Sequence, residues 1–202
     1  MQAIAATLND PDGNLTQAET ETLRQQLGDA IAVAYNLTGV PDSTTTAALV
    51  LALNSITTSA STLEDSLFDL LLSLVRSLAA TAVDARTQFL GIVNVMMQTR
   101  GVKSEADSAA ITESLQTLAL AVLDEAVCGE SVPPMATDGL EMLTSYQASY
   151  AGQAHEVGGN VVLDYGTFID FGTTEEGEPI CKKSQIVSQN TMPFAAQSAH
   201  YK

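Results

Sequence analysis

Leu23, Leu27, Ile31 and Ala34 recur at intervals of three and four residues, which places them on one face of a helix from about Gln17 to Tyr35. Gly39, Pro41 and Asp42 end it. Leu49, Leu53 and Ile56 mark a second helix, flanked by TTT and TTSAST, weak helix formers that are predicted to fray. A third starts at Ser61 or Thr62, where Ser61 and Glu64 have capping-box spacing. Leu63, Leu67, Leu70, Leu74 and Leu78 follow, and Phe68, Leu71, Leu72 and Val75 widen the stripe until it nearly surrounds the helix. That pattern predicts the central helix. A fourth runs from about Asp84 to Thr99, with Phe89, Ile92, Val93 and Met96 inward and Arg100-Gly101 at its end. A fifth begins near Ser104, with Asp107 at cap spacing and a stripe of Ile111, Leu115, Leu118 and Val122.

The grammar then changes. CGESVPPMATDG, Cys128 to Gly139, carries Pro133-Pro134, which rules out a continuing helix. In VVLDYGTFIDF, Val161, Leu163, Tyr165, Thr167, Ile169 and Phe171 alternate with Asp164, Gly166 and Asp170, the period of a half-buried strand. The Thr, Tyr and Ser content of Leu140 to Tyr150 also favours strand, and the tail has room for one more short one. GTTEEGEP, Gly172 to Pro179, reads as an acidic solvated loop. The pattern predicts an α+β chain: an antiparallel bundle of about five helices over 1–130, then a small antiparallel sheet over 131–202.

Composition agrees. Of 202 residues, 46% are hydrophobic but only 5% aromatic, with no Trp, so the apolar content is mainly Ala, Leu, Val and Ile, which suits helix packing. The net charge of −16, from 24 acids against 8 bases, repels phosphate backbones and anionic lipid heads and argues against nucleic acid as a partner. The longest uncharged run, Ser43 to Leu63, is too rich in Ser, Thr and Asn to be a membrane span. MQAIAATLND lacks the features of a secretory leader, so the chain is expected to be either cytosolic or a piece of a longer one.

The most motif-like run is DPDGNLTQAE, Asp10 to Glu19. With Gly13 set on the glycine of a calcium loop, Asp10, Asp12 and Glu19 fall on ligand positions, but the first ligand position is Leu8. The same residues make a turn followed by a helix start. Asp10-Pro11-Asp12-Gly13 turns the chain, Thr16 caps, and Glu19 reaches back to the cap's amide. The second reading uses every residue and is preferred; calcium remains the only cofactor that the pattern suggests.

No phosphate cradle, HExxH or GxSxG occurs. His155, between Gly152 and Gly158, and His200 read as surface residues in loops. Cys128 lacks a recognisable base for nucleophilic chemistry. Cys128 and Cys181 make either one disulfide or two buried thiols, and their count does not choose. In an extracellular chain they are expected to be joined. Asn14 and Asn36 each open an Asn-Leu-Thr glycosylation triplet.

AVLDEAVCGESVPP followed by TDGLEMLTSYQASY and alternating strands resembles the extracellular region of polycystin-1-like proteins and adhesion receptors. There a helical subdomain precedes a β-sandwich in receptor-for-egg-jelly and autoproteolysis-inducing (GAIN) modules. PDGNLTQAETETLRQQL is similar to helix openings in those regions, and the likeness spans residues 10 to about 190. It implies a cell-surface or ciliary scaffold within a larger assembly of protein subunits. It does not carry over self-cleavage, because there is no Trp and His200 is followed by Tyr201 and Lys202. The leading expectation is thus a non-enzymatic extracellular structural or interaction module. A self-assembling filament or capsid-type subunit is the alternative, with a cation-dependent enzyme third and a cytoplasmic location the alternative setting.

Overall fold

Six α-helices are followed by seven short strands in this computed structural model, which describes residues 1–10, 14–58, 60, 63–99, 104–129, 132–150, 154–157, 161–164 and 169–189. The fold is α+β, a helical bundle with a small antiparallel sheet. The chain forms two compact units, Met1–Leu118 and Ala119–Met192, and the division falls inside the last helix.

The first unit holds α1 (Gln2–Leu8), α2 (Gln17–Thr38), α3 (Ser43–Thr57), α4 (Asp65–Leu78), α5 (Arg86–Thr99) and the greater part of α6 (Glu105–Glu125). α3 packs against α1, α2, α4 and α5, and Leu49, Val50, Leu53 and Ile56 are buried along it. α5 is the most enclosed of the described helices, with only Thr87 and Gln98 exposed along it. This corrects the expectation that the leucine-rich α4 is central. Leu67, Phe68, Leu71, Leu74, Val75 and Leu78 are buried on α4, but Ser66, Asp69, Ser73, Arg76 and Ser77 are exposed along its other side. The α3 helix has no charged residue, although Ser43, Thr44, Ala48 and Leu51 are exposed along it.

The threonines at the start of α3 are helical and capped. Asp42 caps the helix, its Oδ1 accepting from the Thr45 amide at 2.7 Å. That bond holds the Asp42 carboxyl below its ordinary range. Thr46 is fully buried and donates to Thr81 Oγ1 at 2.8 Å, so its hydroxyl is satisfied where an unpaired one would be costly. α4 begins later than expected, at Asp65, with Glu64 at the cap position and no side-chain cap bond. Ser61, the expected cap, lies outside the described residues and too far ahead of that start. α5 follows two short 3₁₀ turns, Ala79–Thr81 and Val83–Ala85, and buries Phe89, Ile92, Val93 and Met96. Ser104 precedes α6, its Oγ accepting from the Asp107 amide at 3.0 Å.

α2 comes close to α4 at Gly28. A Cβ there would lie 2.9 Å from Leu70 Cδ2 and 3.4 Å from Leu67 Cδ1, so the absence of a side chain sets how near the helices approach.

In the second unit, β1 (Met135–Ala136), β2 (Leu140–Gln147) and β7 (Lys182–Gln189) form an antiparallel sheet in the order β1-β2-β7. β2 and β7 pair over their full length, from Leu140 opposite Gln189 to Gln147 opposite Lys182. Leu140, Met142 and Thr144 point inward at alternate positions. Two further pairs among the described residues are β3 (Ser149–Tyr150) with β6 (Ile169–Asp170) and β4 (Ala154–Val157) with β5 (Val161–Asp164). The strand expected over Val161 to Phe171 is thus seen as two elements with different partners, and residues 165–168 lie outside the described part.

Replacing Leu53 with Ala should cost about 2–5 kcal/mol in denaturant melts, the range for emptying a buried leucine site. Leu51→Ala, on the exposed side of the same helix, should cost less than about 0.5 kcal/mol. Equal effects would mean that Leu53 is not part of the bundle's core.

Candidate functional site

The most organised constellation lies where α6 ends. After Glu125 the chain reaches Cys128, which is joined to Cys181 by a disulfide with a Cα–Cα distance of 5.9 Å, within the usual span. Both cysteines are half-buried. Gly129 follows with φ +86°, a left-handed conformation that suits glycine, and its amide donates to the Tyr146 carbonyl at 2.8 Å. Lys183 sits directly opposite Tyr146 in the β2–β7 register. Its Nζ pairs with Asp124 of α6 and lies 5.6 Å from the centroid of the Tyr146 ring. A covalent bond, a backbone hydrogen bond and an ion pair therefore fasten the end of α6 to the β2–β7 ribbon. These links explain why the second unit claims the last turns of α6. The partners of the lysine were missed in the sequence. The available signal was Lys182-Lys183, two of only eight basic residues, set beside Cys181.

Between Cys128 and Cys181 the acidic loop folds back on itself. Thr174 donates to the Glu178 carbonyl at 2.8 Å, Gly177 to Thr174 at 3.0 Å, and Ile180 to Gly172 at 2.9 Å. Glu175, Glu176 and Glu178 are exposed, as a solvated loop requires.

At the other end of the chain, the helix start reads as the turn-and-cap pattern expects. Thr16 Oγ1 accepts from the Glu19 amide at 3.3 Å and donates to Glu19 Oε2 at 2.7 Å. The Thr16 amide donates to the same Oε2 at 2.9 Å. Both halves of the capping box are present. The Thr16 hydroxyl first, and its amide second, hold the Glu19 carboxyl below its ordinary 4.5. Of the calcium set Asp10, Asp12 and Glu19, Asp12 lies outside the described residues, and Glu19 Oε2 accepts from Thr16 in the cap. The segment before the turn is α1, a helix of seven residues.

His155 lies on β4 opposite Leu163, not in a loop, because the segment pairs with β5; His200 is outside the described residues. Asn14 and Asn36 are both exposed. Arg24 is buried against the end of α3, with Nη2 3.5 Å from the Thr58 carbonyl. Burial lowers its pKa, opposed by nearby Glu21, and a cation at the negative end of a helix is favourably placed. Arg76 and Glu113 pair at 3.0 Å across an open cleft of about 540 Å³ lined by hydroxyl side chains such as Ser73 and Thr117. Among the described residues no group of three metal-ligating side chains comes together, and no single helix is long and apolar enough to cross a membrane.

Comparison of the chain with protein-family models, with curated proteins and with solved structures finds no match.

Thr16→Ala should lower stability by about 1 kcal/mol near neutral pH, the usual loss of a cap. A carboxyl whose pKa is lowered on folding contributes above its unfolded value, and the contribution fades as pH falls through the lowered one. The gap between wild type and variant should therefore narrow in melts taken below pH 4.5. A gap that stays constant with pH would separate Glu19 from the cap.

Proposed function

We propose that the chain is a non-enzymatic structural or interaction module of an extracellular, cell-surface assembly. The Cys128–Cys181 bond is the observation that carries this reading, because disulfides form and persist where the surroundings are oxidising. Its placement supports a mechanical role. Tension entering through α6 and leaving through β7 crosses the sulfur–sulfur bond, and the chain between the cysteines is bypassed. The charge of −16 suits a solvated module that meets cations or basic protein surfaces. The likeness to receptor-for-egg-jelly and autoproteolysis-inducing regions points the same way, with partners that are neighbouring domains or subunits.

A second reading, a self-assembling filament or capsid-type subunit, draws on one observation. Val33, Leu37 and Val40 are 58%, 83% and 83% exposed at one end of α2, an apolar tip available to a second copy.

Labelling native material with a thiol reagent in denaturant, without reductant, tests the first reading. Both cysteines should stay unlabelled until reductant is added. Two labelled cysteines in a monomer would place the protein in a reducing compartment and overturn it.

A further inference from the structure

We propose that Asn36 carries an N-linked glycan whose first sugar covers the apolar end of α2. The inference rests on the extracellular reading above. Asn36 is exposed in the last turns of α2 and opens the triplet Asn36-Leu37-Thr38. It follows Val33 by one helical turn and stands next to Leu37, so it lies within the apolar tip of the helix. Helical side chains lean over the turn on their N-terminal side, which directs a sugar on the Asn36 amide across the turn that carries Val33. Leu37 leans over the same turn. The C–H face of an N-acetylglucosamine can cover these methyl groups while its hydroxyls stay in water. There is room for it, since Asn36, Val33 and Leu37 are all exposed. Asn14 is exposed too, but Thr16 of its triplet belongs to the capping box and none of the strongly exposed large apolar side chains is its neighbour in sequence.

The donor would be an oligosaccharide joined through a diphosphate to a polyprenol. The Asn36 amide nitrogen attacks C1 of its terminal N-acetylglucosamine. The C1–O bond to the diphosphate breaks, the lipid diphosphate leaves with the electron pair, and one amide proton is lost to a base. Thr38 supplies the hydroxyl of the acceptor triplet; in the folded helix its one proton is shared between the Ala34 and Tyr35 carbonyls, 3.0 and 3.1 Å away.

The test is to secrete the full chain from eukaryotic cells and map its peptides after peptide-N-glycosidase, which converts each glycosylated asparagine to aspartate. Asn36 should be modified. Asn36→Gln and, independently, Thr38→Ala should both lose that glycan and bind more of a fluorescent hydrophobic dye than Asn14→Gln does. Adding Leu37→Ser to Asn36→Gln should return dye binding to the glycosylated level. A secreted, disulfide-bonded protein with unmodified Asn36 would overturn the inference alone, as would equal dye binding by all variants. Two reactive thiols in the secreted chain would overturn the extracellular reading, and this inference with it.

Discussion

The bond between Cys128 and Cys181 is the constraint on which the strand-bearing unit depends. Among the described residues that unit buries few large apolar side chains, chiefly Val122, Leu123, Val132, Met135, Leu140 and Met142. So small a core is a weak counterweight to chain entropy, and units of this size commonly need a staple. With the cysteines 53 residues apart, closing the loop before folding removes about 4 kcal/mol of unfolded-state entropy on the chain-entropy account. The Asp124–Lys183 pair adds less, because both side chains meet solvent. Its value lies in register: Lys183 faces Tyr146, and the ribbon that holds them also brings Cys181 to Cys128.

The helical unit is organised differently. Its buried side chains run through α3, α4 and α5, and α3 carries no charge. The information was present in the sequence as the uncharged run Ser43 to Leu63, where it weighed only against a membrane span. The leucine stripe of α4 drew attention instead, although Asp69, Ser73 and Arg76 leave that helix a solvent side. Periodicity located the long helices well because their buried faces repeat every three or four residues. It could not foresee how Asp42 and the Thr46–Thr81 bond make a threonine-rich helix start tolerable, since Thr81 is remote in sequence.

The candidate sites divide along the same line. Thr16 and Glu19 interact across three residues, so their capping box was legible, and so was the glycosylation triplet at Asn36. The clasp was legible only in part. Two cysteines permit a bond without specifying one, and the approach of Asp124, Tyr146 and Lys183 depends on β2–β7 pairing between distant segments. His155 shows the same limit from the other side: its flanking glycines suggested a loop, but pairing with Leu163 makes it part of a strand.

Hydrogen exchange of the native chain, before and after reduction, tests the dependence on the disulfide most directly. Backbone amides of β2 and β7 should lose protection when Cys128–Cys181 is reduced, while those of α3 and α5 keep theirs. Unchanged protection across Leu140–Gln147 and Lys182–Gln189 in the reduced protein would show that the ribbon stands without its staple, and would contradict the account.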